Sequence, residues 1–137
     1  MEGELDRVQW PGPVGPARAD ELWKHTCFEA FVQPAASPAY TELNFSPSGE
    51  WAAYSFDACR QGMRHAPFAP VFSWRSPVLR ASVDLVDTLA DWRLNLAAVI
   101  EAKDGTKSYW ALAHAPGPPD FHNPDCFIAT LPAPERS

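Results

Sequence analysis

Hydrophobic and polar residues alternate with a period of two along much of this chain, in short runs broken by Pro, Gly and Ser. From Thr26 to Gln33, Phe28, Ala30 and Val32 share one parity, and Cys27, Glu29 and Phe31 share the other. Tyr40 to Phe45 sets Thr41, Leu43 and Phe45 opposite Tyr40, Glu42 and Asn44. Glu50 to Asp57 sets Ala52, Tyr54 and Phe56 opposite Trp51, Ala53 and Ser55. Trp92 to Glu101 sets Trp92, Leu94, Leu96, Ala98 and Ile100 against Arg93, Asn95, Ala97, Val99 and Glu101. Such runs are the signature of half-buried strands. The parities of Phe28/Val32 and of Leu94/Leu96/Ala98/Ile100 are therefore expected to face the core.

The breaks are turn chemistry. Ser46-Pro47-Ser48-Gly49 joins two strands as a hairpin, because Pro presets φ and Gly accepts positive φ. Lys103-Asp104-Gly105-Thr106 closes a second hairpin, whose returning strand runs from Lys107 to His114. Val71 to Trp74, Leu79 to Leu85 and Cys126 to Leu131 supply further short strands. Pro11 to Asp20, Pro34 to Pro38 and Cys59 to Pro70 read as loops, and Val86 to Asp91 as a brief helical turn. Seven to eight short strands with almost no helix predict an all-β fold, an antiparallel β-sandwich of immunoglobulin-like or jelly-roll type.

At 137 residues the chain is expected to be one domain, with its core over about 20–131. The 15 prolines disfavour long helices. Net charge is −6 with no Lys/Arg cluster, which excludes an electrostatic footprint for nucleic acid or an anionic membrane. No apolar run reaches the ~18 residues of a membrane span, and the acidic start lacks a signal-peptide pattern, so a cytoplasmic location is expected. Leu5, Arg7, Val8 and Trp10 have the alternation of a strand end with nothing before them to pair. Either the chain begins further upstream, or an N-terminal edge strand, with any export signal, is missing.

Cys27, Cys59 and Cys126 have neither metal-ligand spacing nor an even count, so free thiols are expected and no metal. A Cys27 nucleophile beside His25 is disfavoured, since same-face neighbours on a strand stand ~6–7 Å apart. None of the four histidines forms a ligand pair, and phosphate-cradling and nucleophile-elbow motifs are absent. No catalytic residue is assigned, and the protein is expected not to be an enzyme. His114 and His122 flank the Pro-rich loop 115–119, which can present them and Asp120 as rigid polar groups. The six tryptophans are the more informative class. A sugar face wants an indole to stack on, with directional hydrogen-bonding groups around it. Trp23 adjoins Lys24 and His25, and Trp110 lies four residues before His114; Trp92 shares its parity with leucines and is expected in the core.

The blocks LWKHTCFEAFV, Y-x-E-x-NFSPSGEWAAY-x-F, R-x-GM and SYWALAH…PDFH resemble DOMON-like domains related to family 9 carbohydrate-binding modules. The likeness spans about 20–131. It implies a β-sandwich that holds a sugar, or haem in other DOMON branches. It makes Trp23 one wall of a sugar site and Glu29 the strand carboxylate, and it places Asn44 in the matching N-F block; Trp110 is an unaligned second wall. The expected function is a non-catalytic module for a small sugar or sugar-like ligand, at a site drawn from Trp23, Lys24, His25, Glu29, Asn44, Trp110, His114, Asp120 and His122. The alternatives are haem held by Met63 with His114 or His122, and a protein-interaction domain. Oligomeric state has no signal in the sequence.

Overall fold

A computed structural model of the chain describes residues 7–34, 37–66, 70–76, 78–82, 92–111, 122, 127 and 129–131. Ten strands run through them: β1 (Ala17–Arg18), β2 (Cys27–Pro34), β3 (Tyr40–Phe45), β4 (Glu50–Phe56), β5 (Arg64–His65), β6 (Val71–Arg75), β7 (Val78–Ser82), β8 (Trp92–Glu101), β9 (Lys107–Ala111) and β10 (Ala129–Leu131). The large sheet has the order β1-β4-β3-β2-β8-β10, with β5 added to β4 and β9 to β8. A second sheet, the β6-β7 ribbon, packs on one of its faces through Phe72, Trp74 and Leu79. The fold is the expected all-β sandwich, antiparallel except where β1 runs parallel to β4. No helix among the described residues is long and apolar enough to cross a membrane.

The two hairpins form where the turn residues placed them. Phe45 pairs with Trp51 across Ser46–Gly49, and Glu101 pairs with Lys107 across the Asp104-Gly105 turn. Gly49 has φ 97, and an added Cβ would press on the backbone of Gly15. That close approach lets Val14 and Gly15 donate their N–H groups to the Ser48 carbonyl at 2.9 and 3.1 Å. The stretch before it is thus more than a connector. β1 extends it along β4, and Arg18 lies 4.5 Å over the Trp51 ring while donating to the carbonyls of Ala53 and Ala66. The stretch from Cys59, expected as a surface loop, also carries structure: β5 pairs with β4, and Ala66 is buried. The N-terminal alternation ends in a bridge between Val8 and Ala102.

The expected inward parities need correcting. On β8 Leu96 is 47% exposed and Leu94 and Ala98 are half-buried, whereas Asn95, Ala97 and Val99 on the opposite parity are buried; Ile100 is buried as expected. On β2 Val32 is buried, but Phe28 is only half-buried, and Cys27, Glu29, Phe31 and Gln33 lie deeper. Both faces of the sheet are covered. The ribbon face holds an aromatic cluster in which the Trp74 ring packs, tilted, against Trp10 at 5.0 Å and Phe28 at 5.3 Å between centroids. The other face holds the larger core, with Phe31, Tyr40, Tyr54, Phe56, Val99 and Phe127. Trp92, expected in the core, is half-buried at the start of β8.

Candidate functional site

The face of the sheet away from the ribbon is where polar residues go inside. Register sets Asn44 beside Glu29, Phe31 beside both Glu42 and Asn95, and Glu42 beside Tyr54. Glu29, Glu42, Asn44 and Asn95 are all buried. Neither amide atom of Asn44 or Asn95 has a hydrogen-bond partner. Buried amides are ordinarily satisfied, so four open amide atoms set this face apart from a purely apolar core.

Above this face opens a cavity of about 460 Å³. Glu29, Glu42, Phe56 and Val99 form its floor. One wall is a 3₁₀ turn, Leu22–Lys24, which brings Trp23 and Lys24. The turn packs against β3 and β4, and Leu22 is its apolar anchor in the core. Tyr54 fixes its base by donating a 2.6 Å hydrogen bond to Asp20. The opposite wall is β9, across β2 and β8, where Lys107 and Tyr109 line the cavity. Trp23 and Tyr109 are 38% and 44% exposed, so both rings have free surface at the mouth.

A third side is the turn after β4. Ala58 and Gln61 pair across it, and Arg60 and Met63 line the cavity. Arg60 holds a left-handed φ of 56, and its N–H donates to the Tyr40 hydroxyl at 3.0 Å. Gly62 has φ 70, and a Cβ there would collide with the Asp57 carboxylate, which Arg64 holds at 2.9 Å. Gly62→Ala is therefore expected to destabilise the protein by about 1–3 kcal/mol, read as a lower urea midpoint.

Burial dominates the electrostatics. It pushes the Glu29 carboxyl up to about 7 and the Glu42 carboxyl up to about 8, with Glu29 adding repulsion at Glu42 and Arg60 opposing both shifts. Cys27, whose Sγ is 3.8 Å from Glu29 Oε1, is driven far above the thiol range by burial and by the two acids, so it stays a thiol. Burial raises Tyr40 to about 12, so its hydroxyl keeps its proton, and it shares a 2.7 Å hydrogen bond with His122 Nδ1. The Nε2 of His122 then faces Glu42 Oε1 at 3.7 Å. Among the described residues no three His, Cys, Asp or Glu converge as a metal site.

Of the residues expected at the site, Trp23, Lys24, Glu29 and His122 line the cavity together. Asn44 lies on the same face, completely buried. His25 stands outside the lining, exposed and paired to Glu101 through Nδ1 at 3.0 Å. Trp110 is a correction. It is half exposed, its Nε1 donates to Ser108 Oγ, and the alternation of β9 turns it to the face opposite Tyr109. His114 and Asp120 lie outside the described residues. Glu42, Phe56, Arg60, Lys107 and Tyr109 were not expected. Glu42 and Tyr109 follow once strand register is known, because each shares a face with Glu29.

No family model, curated protein or solved structure was found to match this chain.

Proposed function

We propose that the cavity binds a small carbohydrate and performs no covalent chemistry on it. The observation that carries this is the pairing of two exposed rings, Trp23 and Tyr109, on opposite walls over a floor of hydrogen-bonding carboxyls. A sugar ring has flat C–H faces for the aromatics and equatorial hydroxyls for groups such as Glu29 and Glu42. The volume, about 460 Å³, falls within the ~300–1,000 Å³ of small-molecule sites. The resemblance of the Trp23 and Glu29 segments to sugar-binding modules supports the same reading.

Calorimetry against a panel of mono- and disaccharides tests it. Binding is expected in the micromolar range or weaker, since a stacked ring contributes ~1 kcal/mol beyond its buried area. Trp23→Ala and Tyr109→Ala should each weaken it about five- to tenfold, and Trp110→Ala should leave it unchanged. Loss of affinity in Trp110→Ala alone would move the site to the other face. Hydrolysis of a bound glycoside that disappears in Glu29→Gln would overturn the non-catalytic part.

One observation favours haem: Met63 and His122 line the same cavity. The donor set fits poorly, because His122 Nδ1 is engaged by Tyr40 and the floor presents two carboxyls to what would be the apolar face of a porphyrin. A Soret band in the purified protein would reverse that preference.

A further inference from the structure

Lys and Arg number 11 against 17 Asp and Glu in the whole chain, yet Lys24, Arg60 and Lys107 all line this cavity. Each aromatic wall carries a cation. Lys24 follows Trp23 on the 3₁₀ turn, and Lys107 precedes Tyr109 by two residues, on the same face of β9. Arg60 stands on the third side. Lys24 pairs with Glu21 at 2.8 Å, but both side chains are more than half exposed, and such pairs hold a cation weakly. Glu101, the cross-strand neighbour of Lys107, has its Oε1 engaged by His25. The Lys107 side chain makes no hydrogen bond or ion pair among the described residues.

The buried acids beneath do not cancel these cations. Burial lifts both carboxyls, so at neutral pH Glu42 is mostly protonated and Glu29 about half so, and together they carry less than the full charge of two acids. Backbone strain marks the same ring of residues. The two non-glycine residues with left-handed φ among those described are Arg60 and Glu21, the latter capping the turn that carries Trp23 and Lys24. Strain of this kind persists where the surroundings enforce it, and it gathers at ligand sites.

Taking the cavity as a sugar site, we propose that its ligand is an anionic sugar, a ring bearing a carboxylate or a phosphate. The ring lies between Trp23 and Tyr109 with its hydroxyls toward Glu29 and Glu42, and the anionic group meets Lys107, with Lys24 and Arg60 around it. Lys107 is the residue that sets the preference for charge.

The test is calorimetry on the full chain at neutral pH and low salt. The probes are glucose, galactose and mannose, their uronic acids, their phosphate monoesters and the matching amino sugars. At least one uronic acid or phosphate should bind about tenfold or more tighter than its neutral parent, with added salt removing much of the gain. Comparing the two anionic sets identifies carboxylate or phosphate. Lys107→Gln, at an exposed position, should bring the anionic sugar to within about twofold of its parent, weakening the anion far more than the neutral sugar. Neutral sugars binding as tightly as the anions would overturn the proposal while leaving the sugar site standing. Amino sugars binding tightest would overturn it in favour of the floor acids. An anion preference that survives Lys107→Gln removes that residue's role, and no binding by any probe sinks the sugar site with it.

Discussion

The melting temperature is expected to fall steadily as pH rises from about 4.5 to about 8, and Glu42→Gln is expected to remove most of that fall. In the unfolded chain both acids titrate near 4.5; in the fold burial lifts Glu29 to about 7 and Glu42 to about 8. Between those limits the folded state binds more protons than the unfolded state, so stability decreases with pH. The contribution is fully present below the unfolded value and is lost once pH passes the folded values. Arg60 acts on both carboxyls, Cys27 on Glu29 and His122 beside Glu42; Tyr40 and Cys27 stay protonated throughout the window. Glu42→Gln removes the more strongly shifted of the two acids together with its repulsion by Glu29, and leaves the shift that burial imposes on Glu29. At pH 8 it should stabilise by roughly 2–4 kcal/mol, or roughly 10 °C in Tm. A wild-type Tm that stays level across the window, or a Glu42→Gln protein less stable at pH 8, would show that these acids ionise freely in the fold.

Phe31→Ala is expected to cost about 3–5 kcal/mol, and Leu96→Ala less than about 1 kcal/mol. Phe31 is fully buried and touches the rings of His122 at 5.1 Å, Phe127 at 5.9 Å and Tyr40 at 6.4 Å. Its removal leaves a void beneath the residues that hold one side of the cavity. Leu96, 47% exposed, has little to lose. Urea unfolding with unchanged m-values gives both numbers. Equal costs for the two would mean that the faces of the sheet have been assigned the wrong way round.

That contrast shows where sequence reasoning held and where it slipped. Alternation and turn residues locate the strands and both hairpins because they act through local backbone geometry. Which parity is deeper is a property of what covers each face. Counting apolar residues favours the ribbon face, since Phe28, Leu94 and Leu96 lie there. The cavity face carries Glu29, Glu42, Asn44 and Asn95, which a hydropathy count assigns to solvent, although the fold buries all four. Polar residues inside a sheet need partners there, and single-strand periodicity cannot distinguish them from a wet surface.

The site shows the same division. Trp23, Lys24 and Glu29 are legible because they lie on or beside β2, in the densest alternating stretch of the chain. The choice of Trp110 over Tyr109 is a one-residue error of parity, which on a strand is an error of face. Only the register Glu101↔Lys107, and with it Val99↔Tyr109, decides it. Arg60 was out of reach for another reason: its position depends on a left-handed backbone beside Gly62, in a stretch with no periodicity.

The central pairing of the sheet has a kinetic consequence. β2, β3 and β4 are joined by short links and can pair locally, whereas β2 meets β8 through residues more than fifty apart in the chain, Pro34 with Trp92 and Cys27 with Val99. Closing so long a loop is entropically costly, and the pairing gains nothing until it is complete. The β2-β3-β4 meander should therefore form early, and docking of the β8-β9 hairpin should limit the folding rate. Trp23 stands on the early half and Tyr109 on the late one, so the two walls of the cavity meet only at that last step. A ligand held between them slows unfolding by resisting separation of the halves, and leaves the forward rate nearly untouched.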